Sequence, residues 1–246
     1  MTIRPAQHIF RSNAAPALLW LPAGGPAAAR PVAAAPLLSL PERSAYERYG
    51  KRALDLILGS LPALALLPLI AAVSVAVLAT SGWPVLYASE RMGRNRRPFL
   101  MWKFRTMVTD ADAVFERWKL THPEMASTLA THWKLPDDPR RTPLGRFLRR
   151  SSLDELPQFW NVLRGEMSLV GPRPYLARET IEPRLSQRIH DVKPGLTGPF
   201  QVRGRKSLAP RTRVEIEAGY ASEVGLARDL AYVARTAGPL LKLDGQ

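Results

Sequence analysis

The stretch Arg149-Arg150-Ser151-Ser152-Leu153-Asp154-Glu155-Leu156-Pro157-Gln158 places two adjacent carboxylates directly after paired arginines. Its Ser-x-x-Glu spacing has the form of a capping box, but a helix beginning there would contain Pro157, which removes a backbone hydrogen bond and clashes. We therefore predict Asp154 as the N-cap, Pro157 in the first turn, and Gly165 after the last helical residue.

The position predicted for Asp154 suits a reacting carboxylate. A helix N-terminus beside Arg149 and Arg150 can hold an ionised carboxylate and a phosphate together. A carboxylate that is kept ionised can act as a nucleophile without a neighbouring base. Acidic residues are also common at helix N-termini that have no catalytic role, and the stretch alone favours that plainer interpretation.

The composition limits the classes of protein to which this chain can belong. Its 246 residues have room for one substantial domain, with or without appendages. The 35 Lys and Arg residues against 21 Asp and Glu give a net charge of +14, which predicts nucleic acid, a phosphorylated substrate or anionic lipid as partner. The absence of cysteine excludes disulfides and thiol catalysis, and the four scattered histidines lack zinc-site spacing.

The first 43 residues are rich in Ala and Pro and contain no acidic residue before Glu42. This composition predicts a disordered leader, residues 1–43. A signal peptide is the alternative, because Arg4 and Arg11 precede an apolar run at 14–21, but that run is short.

Residues 56–79 carry no charge over 24 positions, which is long enough for a helix to cross a bilayer. Basic residues flank both ends of the run, which favours keeping both ends on the cytoplasmic side. Pro68 lies near its middle, where a proline breaks or kinks a helix. We predict a re-entrant membrane helix hairpin at 44–82; a straight span and a buried soluble-core helix remain as alternatives.

Lys51, Arg52 and Asp55 immediately precede the uncharged run. Asp55 has the helical spacing for a pair with Lys51, and charge is tolerated at the headgroup level of a membrane. We interpret the three residues as a membrane-interface anchor that contacts a lipid phosphate, with a simple snorkelling flank as the alternative.

Beyond the membrane run, residues 85–87 and 99–106 predict a β-hairpin that turns at Gly93. Strand alternation puts Lys103 and Arg105 on one face, with Trp102 and Phe104 on the other. The hairpin would present cations to an anion, or would simply have one solvated face.

Helices are predicted at 111–120, 144–150, 213–223 and 226–241. The last places Leu226, Leu230 and Val233 on one face, which would pack in the core or, alternatively, lie in a membrane interface. Arg173 lies between two prolines that restrict its backbone, and a rigid guanidinium suits phosphate recognition.

With these segments in order, the chain resembles the bacterial sugar transferase family, the monotopic polyprenyl-phosphate sugar-1-phosphate transferases. The resemblance runs from about residue 48 to 241 and depends on several motifs in order. These are Lys51-Arg52-x-x-Asp55, Trp102-Lys103-Phe104-Arg105-Thr106-Met107, Thr142-Pro143-Leu144-Gly145-Arg146-Phe147-Leu148-Arg149, the Ser152 to Gln158 part of the opening stretch, Met167-Ser168-Leu169-Val170-Gly171-Pro172-Arg173-Pro174 and Pro194-Gly195-Leu196-Thr197-Gly198.

The resemblance implies an α+β, mostly helical, monotopic membrane protein. It would have a re-entrant membrane helix hairpin broken at Pro68, a small β-hairpin and amphipathic interfacial helices. Residues 83–246 would form a catalytic domain facing the cytoplasm at the bacterial inner membrane.

The resemblance also implies a reaction. Asp154 would attack the β-phosphorus of a UDP-sugar, release UMP, and pass the sugar-phosphate to polyprenyl phosphate, such as undecaprenyl phosphate. Glu155 would hold Mg²⁺, which offsets negative charge at the transferring phosphorus. The candidates for substrate binding are Lys103, Arg105, Arg149, Arg173, Arg205 and Glu217.

The expected partners are the UDP-sugar donor, the polyprenyl phosphate acceptor and membrane lipids, and a homo-oligomer is left open. The process would be the first membrane step of exopolysaccharide or surface glycan synthesis. The chain departs from the family at Pro199-Phe200 and at Glu217, where an Asp is common. A non-enzymatic basic membrane adaptor is the alternative function; the uncharged run argues against a nucleic-acid binder.

Overall fold

The computed structural model describes residues 43–122, 138–179, 181–202 and 210–241, and all of them belong to one compact unit, Leu40–Gln246. Residues 1–42 of the predicted leader lie outside these ranges, and so does Arg205. The first two helices are α1, Lys51–Ala65, and α2, Leu67–Ser81. The helices that follow are α3 Ala111–Thr121, α4 Pro143–Arg150, α5 Gln158–Arg164, α6 Pro183–Asp191, α7 Pro199–Val202, α8 Pro210–Ala221 and α9 Leu226–Leu241.

Two small sheets accompany the helices. Strands β1, Leu86–Met92, and β2, Pro98–Phe104, form the predicted antiparallel hairpin. Strands β3, Ser168–Val170, and β4, Gly195–Thr197, pair in parallel, which the sequence analysis did not predict. Three residues are too few for strand alternation to be recognised. A mostly helical fold with a β-hairpin is thus confirmed.

The apolar run forms α1 and α2, which meet at Leu66 with a bend of 57°. The break was predicted at Pro68, but Pro68 lies in the first turn of α2, where a proline needs no N–H partner. A bend of 57° is compatible with a broken span and with a re-entrant pair, so the re-entrant hairpin stays a prediction. Within the described ranges no single helix has the length and apolar character to cross a membrane, but α1 extended from Tyr46 and α2 reach that criterion together.

One side of α2 packs against the elements that follow it. Val73 and Val77 form a buried cluster with Phe104 and Leu148. Residues on the remaining surface of α2, including Leu67, Val75 and Leu78, are exposed. The apolar run is therefore part of the protein core on one side, and it leaves a large apolar surface on the other.

The charged residues at the start of α1 contact protein groups. Lys51 Nζ donates hydrogen bonds to Asp229 Oδ2 at 2.6 Å, the Tyr220 hydroxyl at 2.8 Å and the Val170 carbonyl at 2.9 Å. Asp55, by contrast, accepts hydrogen bonds from Ser168 Oγ and the Leu169 N–H. The predicted pairing of Lys51 with Asp55 was wrong, because each charge has a closer partner in another element.

Arg52, the third residue of the predicted anchor, binds the end of α5. Its guanidinium donates to the carbonyls of Val162 at 2.7 Å and Leu163 at 2.6 Å. The last carbonyls of a helix lack intrahelical partners and carry partial negative charge, so a cation stabilises them. The contact leaves α1 attached to the helix that follows Asp154.

Helix α9 presents a different face to the core from the predicted one. Leu226 and Leu230 are 49% and 43% exposed, whereas Tyr232 and Val233 pack on the core and Asp229 is fully buried. The prediction that the leucines face the core was wrong, because the pairing of Asp229 with Lys51 sets the rotation of the helix. The exposed leucines agree with the alternative, an interfacial helix.

Candidate active site

Asp154 lies in a short 3₁₀ turn, Leu153–Glu155, and α5 begins only at Gln158. The prediction of Asp154 as a helix N-cap was therefore wrong. Pro157 has no N–H to donate, and the chain from Ser152 to Trp160 is joined by hydrogen bonds between residues three apart. The predicted end of the helix is confirmed, since Gly165 follows Arg164 in the left-handed conformation, with φ of 78°.

The carboxylate of Asp154 is buried, with 6% of the residue exposed, and lies beside a lysine. Lys103 Nζ is 4.0 Å from Asp154 Oδ2 and donates a hydrogen bond of 2.7 Å to Glu155 Oε1. Burial raises the pKa of Asp154 to about 6, while the charges of Lys103 and Arg149 act in the opposite direction. Above that pH the carboxylate is ionised, and neighbouring cations rather than a helix end stabilise it.

Lys103 is positioned by a hydrogen-bonded clamp that the sequence analysis missed. Asn161 on α5 is fully buried, and its Oδ1 accepts from the Trp102 N–H at 3.1 Å. Its Nδ2 donates to the Leu100 carbonyl at 2.7 Å and to Glu166 Oε2 at 2.6 Å. The clamp fixes β2 against α5 and so fixes Lys103 beside the turn that carries Asp154. A lone polar residue on the inner face of a predicted helix was the available signal.

Arg149 reaches the site from α4. Thr142 caps this helix by accepting from the Gly145 N–H at 2.9 Å, and a Cβ at Gly145 would lie 2.0 Å from the Thr106 carbonyl oxygen. Only glycine allows so close an approach. Arg149 Nε donates to Thr106 Oγ1 at 2.9 Å, and burial, followed by the charge of Arg141, lowers its pKa.

Arg105 does not join this site. It is buried, and its guanidinium donates to the Gly82 carbonyl at 2.6 Å and to the Ser81 carbonyl, at the end of α2. It follows the last residue of β2 and caps a helix, so it is not presented to an anion as we predicted.

Arg173 and Glu217 belong to a second group of charges. The Arg173 backbone N–H donates to Glu217 Oε2, and Glu217 is fully buried. Burial raises the pKa of Glu217 to about 7. Between residues placed in the structure, no hydrogen bond or ion pair described here joins this group to Asp154. Of the predicted substrate-binding residues that the structure describes, Lys103 and Arg149 lie at the first site, Arg173 and Glu217 form the second group, and Arg105 lies at the end of α2.

The carboxylates at the first site fit a Mg²⁺ ion that is shared with a substrate. Within the described ranges no three His, Cys, Asp or Glu residues are arranged to hold a metal. Mg²⁺ is usually bound by one or two carboxylates together with substrate phosphates and water. The side chain of Glu155 is 38% exposed, so a carboxylate of the right chemistry is accessible there.

Comparison with known proteins gives the family. The bacterial sugar transferase family model matches residues 46–242. The UDP-galactose-lipid carrier transferase of Erwinia amylovora is 41% identical over 204 residues, which cover 80% of this chain and 42% of that protein. The exopolysaccharide production protein ExoY of Sinorhizobium fredii is 38% identical over 187 residues, covering 76% of this chain and 83% of that protein.

A third relative is the UDP-glucose:undecaprenyl-phosphate glucose-1-phosphate transferase of Escherichia coli K12, 37% identical over 204 residues, or 78% of this chain and 40% of that protein. The chain belongs to the bacterial sugar transferase family. It spans about two fifths of the length of the first relatives that it matches.

Proposed function

We propose that this chain is a phosphoglycosyl transferase that moves a sugar-1-phosphate from a UDP-sugar to undecaprenyl phosphate. The names of the relatives support the reaction class and the acceptor. The observation that carries the assignment within this chain is the buried Asp154 carboxylate, 4.0 Å from Lys103 and next to Glu155. The reaction would be the first membrane step of exopolysaccharide or other surface glycan synthesis.

The first half of the reaction forms a bond between Asp154 and phosphorus. A carboxylate oxygen of Asp154 attacks the β-phosphorus of the UDP-sugar, and the bond from that phosphorus to the bridging oxygen breaks. UMP leaves with the bridging oxygen and both electrons of the broken bond, and the sugar-phosphoryl group stays on Asp154. The attacking group is an anion, so this step requires no general base.

The second half of the reaction regenerates the enzyme. A phosphate oxygen of undecaprenyl phosphate attacks the phosphorus of the sugar-phosphoryl aspartate, and the bond to the carboxylate oxygen breaks. The product is an undecaprenyl diphosphate sugar, and Asp154 returns as a carboxylate. Two successive displacements at phosphorus predict ping-pong kinetics, because UMP leaves before the acceptor reacts.

The residues around Asp154 have complementary tasks in this scheme. Lys103 and Arg149 stabilise the ionised carboxylate before attack and the charged phosphate oxygens during it. Glu155 would hold Mg²⁺ together with a substrate phosphate, and the ion, when bound, neutralises charge on the transferring group. Asn161 and the Thr106–Gly145 contact keep Lys103 and Arg149 in place.

The location proposed for this reaction is the cytoplasmic face of the bacterial inner membrane. The exposed apolar surface of α1 and α2, the 57° bend between them, and the exposed leucines of α9 support a helix pair that enters one leaflet and returns. This arrangement brings a lipid-linked acceptor to the level of the catalytic domain.

The test is release of UMP from a panel of UDP-sugars by the full chain in lipid nanodiscs, with and without undecaprenyl phosphate. Without acceptor, we expect one of the UDP-sugars to release an amount of UMP close to the amount of enzyme present. With undecaprenyl phosphate, the same donor should be turned over continuously. Asp154→Asn should release no UMP, because an amide cannot act as the anionic nucleophile. Asp191→Asn is the matched control and should keep the activity: burial raises the pKa of Asp191 also, and this residue lies on α6. Absence of UMP release from every donor would contradict the proposal and favour the non-enzymatic membrane adaptor.

A further inference from the structure

Two arginines from other elements, Arg91 and Arg213, approach the loop that carries Arg173. The backbone N–H of Arg173 donates to Glu217 Oε2, and Arg213 Nε lies 3.7 Å from Glu217 Oε1. Arg91 Nη1 donates to the Pro174 carbonyl at 3.3 Å, so β1 also approaches the loop. Arg91 on β1 and Arg213 on α8 are thus positioned around the loop, and the charge of Arg173 acts on the pKa of both.

The charges in this group do not balance. The carboxylates that face the arginines are Glu217 and Glu179, the latter with Oε1 3.8 Å from Arg91 Nη1. Burial, with the charge of Arg173 as the next cause, lowers the pKa of both Arg91 and Arg213. The arginines therefore repel each other in a place with limited access to water, and an additional anion would stabilise them.

A buried hydroxyl lies in the same group without a partner. Tyr175 follows Pro174 and is 4% exposed, and its hydroxyl has no hydrogen-bond partner among the residues that the structure places. The charges of Glu217, Arg213 and Arg173 act on the pKa of this hydroxyl. A buried donor that lacks a hydrogen-bond partner is uncommon in proteins. A ligand with an acceptor oxygen would supply the missing partner.

The guanidinium of Arg213 is also held in a fixed orientation. Its central carbon lies 4.1 Å from the centre of the Phe200 ring, which is a cation–π contact. A guanidinium in such a contact presents its planar fork of donors in one direction, which suits the paired oxygens of a phosphate.

The β-hairpin connects this group of arginines to the Asp154 site, because it carries both Arg91 and Lys103. Tyr87 lies opposite Lys103 and Arg91 lies opposite Phe99, so Arg91 and Lys103 are on the same face of the hairpin. Lys103 and Phe99 are four residues apart in β2, which corresponds to a separation of roughly 13 Å along the strand. Two cationic centres therefore lie along one face.

We propose that Arg91, Arg173, Arg213 and the hydroxyl of Tyr175 form a second phosphate subsite, distinct from the place where Asp154 attacks phosphorus. The inference rests on the proposed function for the identity of its ligand. A phosphate group is supplied by the nucleotide of the donor and by the acceptor, undecaprenyl phosphate. The chemistry of the site is the same for both, and the experiment separates them.

Tyr175→Phe is the sharpest variant, because it removes only a hydroxyl that has no described protein partner. We expect the melting temperature to stay the same or rise, and KM for one of the two substrates to increase about tenfold, as for loss of one hydrogen bond to a charged group. The change in kcat should stay within about twofold, since the group does not touch the attacked phosphorus. An increase in KM for the UDP-sugar assigns the subsite to the donor, and an increase for undecaprenyl phosphate assigns it to the acceptor.

Arg213→Gln, with Arg213→Lys beside it, tests the arginine fork. Glutamine should weaken binding of the same substrate more than lysine does, because lysine retains the charge and loses the planar donors. Tyr220→Phe is the structural control: its hydroxyl donates to Asp229 Oδ1 at 2.7 Å, so this variant should lower the melting temperature and leave both KM values unchanged.

Direct binding makes the test independent of turnover. The probes are UMP and farnesyl phosphate, titrated onto the full chain in nanodiscs by calorimetry, and we expect Tyr175→Phe to weaken one of them about tenfold. If both KM values and both affinities are unchanged in Tyr175→Phe while UMP release is normal, the subsite is wrong and the proposed function stands. If no UMP is released but one probe binds in a Tyr175-dependent way, the subsite stands and the proposed function is wrong.

Discussion

Two lysine–aspartate pairs in this protein consist of the same residue types but differ in how completely their charges and hydrogen-bonding groups are paired. In the pair of Lys51 and Asp229, the atoms Nζ and Oδ2 are 2.6 Å apart and Asp229 is fully buried. In the pair of Lys103 and Asp154, the corresponding distance is 4.0 Å and the lysine donates its close hydrogen bond to another carboxylate. The first pair is closed, and the second has capacity left for a ligand.

The closed pair is satisfied on all sides. Both oxygens of Asp229 accept hydrogen bonds from tyrosine hydroxyls, from Tyr46 at 2.6 Å and from Tyr220 at 2.7 Å. A buried ion pair with every polar atom bonded fixes the position of the elements that carry it. Here it holds the start of α1 against α9, and it has no group available for chemistry.

The open pair has the properties that a reacting group requires. Burial of Asp154 disfavours its ionised form, and Lys103 offsets that cost only in part at 4.0 Å. The site therefore holds a carboxylate whose ionised form would be stabilised by bonding to an electrophilic phosphorus or by a bound cation. Incomplete pairing of its charges and hydrogen-bonding groups, rather than the presence of a buried ion pair, distinguishes the candidate active site.

The largest effect should come from replacing the aspartate of each pair by asparagine. The two replacements should change the free energy of unfolding in opposite directions. Asp229→Asn leaves the buried ammonium of Lys51 without its counter-charge and should cost about 3–5 kcal/mol of unfolding free energy. Asp154→Asn should stabilise the fold at pH 8, by at most about 3 kcal/mol, because the native protein disfavours the charged form. Denaturant unfolding of both variants checks this, and loss of stability in both would erase the distinction.

The next effect is the pH dependence of that stabilisation. The pKa of Asp154 is raised from 3.8 to about 6, so its favourable contribution is complete below pH 4 and is lost as pH rises through about 6. The stabilisation in Asp154→Asn should therefore be absent at pH 4 and reach its full size above pH 7. A stability difference that does not change with pH would show that Asp154 titrates normally.

The rate of UMP release should follow the same ionisation. We expect the rate to rise with pH, with a midpoint at the Asp154 pKa of about 6, and to level off once the carboxylate is fully ionised. Lys103→Met should move the midpoint to higher pH, because the charge of Lys103 favours the ionised form, whereas Lys103→Arg should move it less. Stopped-flow UMP release between pH 5 and 9 provides the measurement; an identical midpoint in Lys103→Met would separate Lys103 from Asp154.

Glu155→Gln should have a smaller and conditional effect. Replacing a metal-binding carboxylate by an amide weakens Mg²⁺ affinity, and we expect roughly tenfold more Mg²⁺ for half-maximal UMP release, with a rate that recovers in part at saturation. Glu116→Gln on α3 is the matched control, since that exposed carboxylate pairs with Lys119. An unchanged Mg²⁺ requirement in Glu155→Gln would remove Glu155 from the proposed metal site.

The smallest effect concerns the bend of the apolar segment. Because the chain has no cysteine, one cysteine introduced near each terminus reports the side of the membrane by labelling in intact cells. We expect both to be protected in the parent protein, and part of the Pro68→Ala population to expose its N-terminus, since the variant restores an N–H that lets α1 continue into α2. An N-terminal cysteine labelled from outside in the parent protein would contradict a re-entrant segment.

The hairpin, most of the helices and the adjacency of the residues at the Asp154 turn could be predicted from the sequence, because periodicity and turn residues are local signals. It did not give the partners of Lys51 or Asp55, whose bonds join residues more than a hundred positions apart. For the same reason Leu226 and Leu230 were assigned to the core. Periodicity shows that a helix has an apolar face, but it does not show whether protein or lipid covers that face.

The site was predicted less completely than the fold. The adjacency of Asp154 and Glu155 is visible in sequence, whereas the clamp from Asn161 and the grouping of Arg91 with Arg213 depend on tertiary contacts. Arg105 shows the converse error. Strand alternation placed it beside Lys103, but the strand ends at Phe104 and the next side chain binds the end of α2.

Intact-protein mass spectrometry tests the central claim most directly. The full chain is mixed with its UDP-sugar and Mg²⁺ without acceptor, quenched, and compared with the untreated protein. We predict a mass increase equal to one sugar-phosphate, located by peptide mapping on Asp154, removed by undecaprenyl phosphate and absent in Asp154→Asn. Turnover of UDP-sugar to UMP with no adduct under any quench, or an adduct that persists in Asp154→Asn, would contradict the assignment of Asp154 as the nucleophile.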